Sequence, residues 1–282
     1  MLIAIASGKG GTGKTTVAVN LACVLSSSSP LTLADCDVEE PNAHLFFPGS
    51  GVKEPVTLPV PVIDPGRCDY CGKCGLFCQY GALIVLKERV LQYPQLCHSC
   101  GGCRLVCPTH AISERPEQAG TIERYDPTPS LHLVTGRLAE GSIHTPTVIR
   151  AVRDAVDGAP LVLLDAPPGT ACAAMETLEG CDFCLMVTEP TPFGLHDLRL
   201  ICELARLFRI PAGVVINRCD DEDTAVEAFC REQDLPVLMR IPFDRTIALM
   251  QGSSRIISRD DPVWRDRFRR LGRDCLAMAG GR

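Results

Sequence analysis

The sequence is poor in aromatic residues: they make up 5% of 282 residues, with a single tryptophan. A core of this composition must be aliphatic, which suits Val-, Leu- and Ile-rich strands buried on both faces of a parallel sheet. Positive charge is not in surplus either. Lys and Arg number 28 against 34 Asp and Glu, a net charge of −6, so nothing global argues for a nucleic-acid coat and no nucleic-acid partner is expected. Long apolar runs are missing as well, since no stretch reaches the roughly 18 apolar residues of a membrane-spanning helix. The opening MLIAIASGKGG has no basic segment ahead of its short apolar run and does not read as a signal peptide. These absences lead us to expect a cytoplasmic protein without membrane contact.

Cysteine, by contrast, is abundant, at 17 residues. An odd count in a chain with no secretory signal argues against a disulfide framework. Eight of the cysteines fall into two tight runs, while the others scatter through apolar segments, where a thiol behaves as a small hydrophobe. The clustered eight call for a metal.

Periodicity organises the rest. Leu2–Ser7 is an apolar run that reads as a buried strand, Lys14–Leu25 has helical spacing, and Leu31–Ala34 reads as a short strand ending at Asp35. From about Pro55 to Pro116, Pro, Gly and Cys accumulate and helix-length periodicity vanishes, leaving two short apolar pieces, Ala82–Leu86 and Val90–Tyr93. That is the pattern of a small loop-rich fold held by cofactors. Strands then recur at Leu131–Val134, Leu161–Leu164, Phe183–Val187, Ala212–Ile216 and Val237–Ile241. Between and after them come helical stretches at Thr147–Val156, Leu195–Phe208, Thr224–Gln233 and Pro262–Met278. This alternation predicts an α/β core, a parallel sheet with helices on both faces. The expected division is a discontinuous core of residues 1–54 and 120–282, interrupted by a small α+β module at 55–119.

Between the first strand and the first helix lies Gly8-Lys9-Gly10-Gly11-Thr12-Gly13-Lys14-Thr15, followed by Thr16. It fits the phosphate-loop pattern G-x-x-x-x-G-K-S/T in the strand–loop–helix context that pattern requires. Glycines let successive backbone N–H groups point inward around a phosphate, and the helix N-terminus adds a favourable dipole. Lys14 is expected on the β/γ-phosphates of ATP, and Thr15 on Mg²⁺.

The second lysine, Lys9, makes KGGTGKT resemble the deviant phosphate loop of the MinD, ParA, Mrp and nitrogenase iron protein superfamily. The resemblance implies a P-loop NTPase fold, a Mg²⁺-dependent ATPase that is slow and partner-stimulated, and a dimer, either with itself or with a paralogous ATPase. It further implies that Lys9 reaches the partner subunit's nucleotide, that Asp37 in Asp35-Cys36-Asp37 positions the attacking water, and that Asp165 in LLLDAPPGT touches Mg²⁺ through water. Asn217 in VINR and Pro242 in IPFD stand where the family contacts the base. Cys172 follows Asp165 at the offset of a cluster ligand in the nitrogenase iron protein, but no cysteine occupies the matching upstream segment LVTGRLAEGSIH. A shared cluster of that kind is therefore not expected.

Cys68, Cys71, Cys74 and Cys78 form C-x₂-C-x₂-C-x₃-C, and Cys97, Cys100, Cys103 and Cys107 repeat it, the second run ending in Cys107-Pro108. This resembles bacterial ferredoxin and implies two 4Fe–4S clusters, each held by three cysteines of one run and the fourth of the other. The resemblance thus pairs Cys68, Cys71 and Cys74 with Cys107, and Cys97, Cys100 and Cys103 with Cys78. Two Cys₄ zinc sites are the alternative, but zinc knuckles pair C-x₂-C steps rather than repeating triplets. The first run departs from the pattern with Cys78-Gln79, losing no ligand.

The combined resemblance implies an ATPase that gates electron transfer through its clusters to a redox or iron–sulfur partner protein. A second implied role is an iron–sulfur carrier of the Mrp kind, and a third a spatial organiser like ParA or MinD. Along the last helix, Trp264, Phe268, Leu271 and Cys275 form an apolar stripe opposite five arginines. We expect that stripe to pack on the core rather than to lie on a membrane.

Overall fold

The computed structural model describes residues 1–219 and 224–281. The chain divides into two compact units, one of Met1–Lys53, Ile122–Arg137 and Ile149–Arg282, the other of Glu54–Thr121 and Leu138–Val148.

In chain order the elements are β1 (Leu2–Ala6), α1 (Lys14–Leu25), β2 (Leu31–Asp35), β3 (Val52–Ile63), α2 (Lys73–Phe77), β4 (Leu83–Val85), β5 (Val90–Gln92), α3 (Gly102–Leu105), β6 (Ile112–Thr128) and β7 (Leu131–Leu138). They continue as α4 (Thr145–Asp154), β8 (Val162–Asp165), α5 (Cys172–Leu178), β9 (Phe183–Thr188), α6 (Pro192–Leu207), β10 (Ala212–Cys219), α7 (Ala225–Glu232), β11 (Val237–Pro242), α8 (Arg245–Gly252), α9 (Ile257–Asp260) and α10 (Pro262–Ala279).

The main sheet has the order β11-β10-β9-β1-β8-β2-β7-β6-β3. Every pair from β11 to β7 is parallel. Strands β1, β8 and β9 are continuous apolar runs buried along almost their whole length, as strands covered on both faces must be. The sheet is mostly, not wholly, parallel. Strands β6 and β7 are neighbours joined by Pro129-Ser130 alone, a link that only an antiparallel pair can make.

Two long strands escape the sequence pattern. The edge strand β3 carries Pro55, Pro59 and Pro61, tolerated there because an edge need not donate on both sides. Strand β6 is rich in charge, with Glu114, Arg115, Glu117, Glu123 and Arg124 masking its few buried apolar positions.

Helix α10 starts at Asp261, whose carboxylate accepts the Val263 and Trp264 N–H groups at 2.8 and 3.2 Å, and Pro262 supplies the helix-ready first position. Its stripe of Trp264, Phe268, Leu271 and Cys275 is buried with α1 in one hydrophobic core. At Gly272 the helices come so close that a Cβ would lie 2.8 Å from Leu25. The amphipathic stripe is thus a packing face. No helix among the described residues is long and apolar enough to cross a membrane.

The second unit buries few apolar side chains, chiefly Val56, Leu58, Val60, Ala82, Leu83, Ala111 and Ile112. It also repeats itself in backbone conformation. Left-handed residues occur at Tyr70 and Ser99, at Gly72 and Gly101, and at Gly81 and His110, each pair separated by the offset that separates Cys68 from Cys97. Helices α2 and α3 follow directly on Gly72 and Gly101. The antiparallel pair β4–β5 completes this unit.

Candidate functional site

The loop between β1 and α1 is held from several directions. The Ser7 hydroxyl donates to the Lys9 carbonyl at 2.6 Å. The Asn217 amide, at the end of the apolar part of β10, donates to the Thr12 carbonyl at 2.7 Å. Gly13 has φ +96°, and a Cβ there would lie 2.4 Å from the Asn217 amide nitrogen. A Cβ at Gly8 would meet the Asp197 carbonyl of α6 at 2.5 Å. These two positions admit only glycine, because backbone and side chains close in on the loop. Burial raises the pKa values of Asp37 and Asp165, and the buried Lys14 ammonium opposes that rise at both.

Strands β2 and β8 lie in register, so Asp35 stands opposite Asp165. Both are fully buried. The Asp35 carboxylate accepts N–H groups from Asp37 at 3.1 Å and from Asn42 and Ala43 at 2.9 Å each, which fixes the chain just after β2. Both Asp165 carboxylate oxygens lack a hydrogen-bond partner among the described residues, as do the Thr12 and Thr16 hydroxyls. Burial, then Asp165, push Asp35 well above the usual carboxylate range. Burial also raises Asp165, with the Thr15 hydroxyl and Lys14 opposing. A fully buried acid beside the Thr15 hydroxyl and the Lys14 ammonium of the phosphate loop fits a hydrated divalent cation. Asp35 escaped the sequence reading, which chose Asp37. The signal was there in the D-C-D alternation, which sends one acid into the sheet register and the other toward Lys14.

Raised acids make a pH prediction with a definite sign. The folded state holds protons that the unfolded chain has already released, so stability falls as pH rises from the ordinary carboxylate range through the raised values. Cation-free protein should therefore lose up to about 1.4 kcal/mol per pH unit per group across this window. The Asp35→Asn variant should show a flatter profile. Thermal melts in chelator across the range check this, and stability that rises with pH would count against it.

Lys9 has a partner within its own chain. Its Nζ lies 3.3 Å from Glu189 Oε2, while Arg218 Nη1 sits 2.5 Å from Glu189 Oε1. Asn217, Pro242 and Thr16 converge on one cavity with Arg218, Phe243 and Trp264. Glu189 and Phe243 were not singled out in the sequence. The first looks like an ordinary strand-end acid, and the second, 70% exposed, like a loop aromatic.

The eight clustered cysteines surround two cavities of the second unit. One is lined by Cys68, Cys71, Cys74 and Cys107, the other by Cys78, Cys97, Cys100 and Cys103. Each cavity takes its fourth thiol from the other run. The Cys97 sulfur accepts the Ser99 N–H at 3.4 Å, and the Cys107 sulfur accepts the Ala111 N–H at 3.3 Å. Burial pushes the Cys103 thiol up to about 11 and raises Cys74 as well, so these two thiolates need cationic partners, whereas hydrogen bonds from Thr109 and Ala111 outweigh burial and lower Cys107. The donor set, four thiols about a cavity with backbone N–H groups aimed at sulfur, fits an iron–sulfur cluster. Among the described residues, no three His, Cys, Asp or Glu side chains stand close enough to hold a single metal ion. Cys172 is exposed at the start of α5, whereas Cys181 and Cys184 are buried packing residues.

Comparisons with known proteins bear on the core. Uncharacterized protein MJ0578 of Methanocaldococcus jannaschii is 32% identical over 77% of this chain and 78% of its own length. The iron–sulfur cluster carrier protein of the same organism is 26% identical over 86% of this chain and 72% of its own length. Its uncharacterized ferredoxin MJ0722 matches 18% of this chain at 36% identity, covering 71% of that protein. Among solved structures, the septum site-determining protein MinD of Pyrococcus horikoshii, complexed with Mg-ADP, has a TM-score of 0.62 at 20% identity, covering 99% of this chain and 97% of that one. The family model described as the CobQ/CobB/MinD/ParA nucleotide-binding domain matches residues 3–255. With its phosphate loop, paired buried acids and mostly parallel sheet, the chain belongs to the CobQ/CobB/MinD/ParA nucleotide-binding family.

Proposed function

We propose that this chain is a Mg²⁺-dependent ATPase that couples nucleotide-driven dimerisation to electron transfer through two 4Fe–4S clusters toward a partner protein. One observation carries the reading: a full phosphate loop and two four-cysteine cavities occur in a single chain. When bound, each cluster takes up or gives out one electron, and Mg²⁺ offsets phosphate charge. Residues 55–119 act as the cluster module, inserted into a nucleotide-binding core of residues 1–54 and 120–282.

Within the core, the loop N–H groups of Gly8 to Thr16 cradle the phosphates and the Lys14 ammonium sits on the terminal ones. Thr15 and Asp165 would hold the cation, which would offset charge on the phosphates. The Asp37 carboxylate, two residues beyond β2, orients the attacking water. Asn217 and Pro242 frame the base. Lys9 exchanges Glu189 for the nucleotide of a partner subunit, a charge-assisted contact that favours the nucleotide-bound dimer. That partner is a second copy or a paralogous ATPase, and the clusters face a redox or iron–sulfur protein.

A second reading, an iron–sulfur carrier ATPase, draws support from the relative named as an iron–sulfur cluster carrier protein. The two readings part in an anaerobic experiment that measures oligomeric state and cluster potentials with and without a non-hydrolysable ATP analogue. Under the first reading the analogue promotes a dimer and moves a potential, and Lys9→Ala loses both effects while still binding nucleotide. Unchanged potentials, with clusters passing to an apo-acceptor, favour the carrier.

A further inference from the structure

The two cysteine runs share one backbone conformation, so residues at matching places can be compared directly. The residue after the first cysteine is Asp69 in one run and His98 in the other. Asp69 Oδ1 accepts the Cys71 N–H at 3.2 Å, which puts a carboxylate against a ligand of the Cys68, Cys71, Cys74 and Cys107 set. The matching His98 is stacked on Tyr80, ring centroids 3.6 Å apart and planes 16° from parallel, and both rings line the second cavity. No carboxylate occupies that place; the second cavity's lining acid, Glu114, stands elsewhere and is paired with Arg104 at 3.2 Å.

We propose that Asp69 lowers the reduction potential of the cluster held by Cys68, Cys71, Cys74 and Cys107 and leaves the other cluster unaffected, giving the two centres separately tunable potentials. The inference rests on the reading of the two cavities as 4Fe–4S sites. Each cluster accepts one electron from a low-potential reductant such as dithionite, which is oxidised as the cluster gains a unit of negative charge. A neighbouring carboxylate opposes that gain.

Two features act in the opposite direction. The Cys107 sulfur has the Ala111 N–H at 3.3 Å and the Thr109 hydroxyl at 3.7 Å, and Lys73, where the second run has Gly102, adds an exposed positive charge on the same loop. They contribute to the absolute potential, and removing the Asp69 charge alone reads out the carboxylate's own share against that fixed background. Asp69 is exposed to solvent, so its influence must weaken as salt screens it.

The test is a redox titration of the anaerobically purified full chain with dithionite, followed by electron paramagnetic resonance. Asp69→Asn should move one of two transitions to higher potential, leave the other in place, and show a smaller shift at high salt. His98→Asp should move the other transition to lower potential. Iron and sulfide are measured on every variant. Two intact clusters with both potentials indifferent to Asp69→Asn, or shifted together, overturn the inference and spare the cluster reading. Protein that assembles no clusters overturns both.

Discussion

Lys14→Ala should cost the protein about 100-fold or more in Mg-ATP affinity, equivalent to about 3 kcal/mol or more. Lys14 is buried at the foot of the loop, with Asp37 and Asp165 near by. Removing its ammonium leaves the terminal phosphates facing two acids with no cation from the protein. In a cleft shielded from water, an uncompensated charge costs more than the lost contact itself. The expectation differs sharply for Asp37→Ala, which keeps the loop and Lys14 and so should bind nucleotide while hydrolysing it slowly. Calorimetry on both variants separates binding from turnover. Affinity close to the parent's in Lys14→Ala would remove the loop from the nucleotide site.

The second large effect concerns how the cysteines divide. Each cavity borrows one thiol from the other run, so paired substitutions give opposite results depending on which pair is chosen. The intact chain should hold about eight irons. Cys68→Ala with Cys107→Ala strips one cavity twice and should leave about four. Cys97→Ala with Cys107→Ala, both in one run, strips each cavity once and should leave almost none. Iron and sulfide analysis of anaerobic preparations reads this directly. The reverse order would mean that each run holds its own centre, and stoichiometric zinc without sulfide would remove the cluster reading.

Much of the nucleotide site could be read from residue order because a phosphate loop is a local device. Seven or eight consecutive residues supply the cradle, and the strand before and helix after them are legible by periodicity. Asp165 was legible for the same reason, ending an apolar run that must be a buried strand. Asp35 was not. Its importance comes from standing opposite Asp165 across two strands far apart in sequence, and register is not written in either strand alone. Glu189 escaped likewise, since its pairing with Lys9 and Arg218 joins three distant segments. Strands β3 and β6 were hidden for a different reason. Prolines erase the hydrophobic signal in the edge strand β3, and charges do so in its neighbour β6.

The exchange of a fourth thiol between the two cavities also bears on how the second unit matures. In a chain organised this way, finishing one half helps to finish the other. Filling the first cavity draws the ends of both runs together, and so places the last ligand of the second cavity within reach of its three companions. The loop-closure entropy for that second event has then largely been met in advance. Loading of the unaltered chain should therefore be cooperative, with half-loaded intermediates scarce during assembly, whereas a variant stripped of one cavity's thiols still keeps all four of the other. The unit behaves as a clasp with two interlocked catches rather than as two beads on a string.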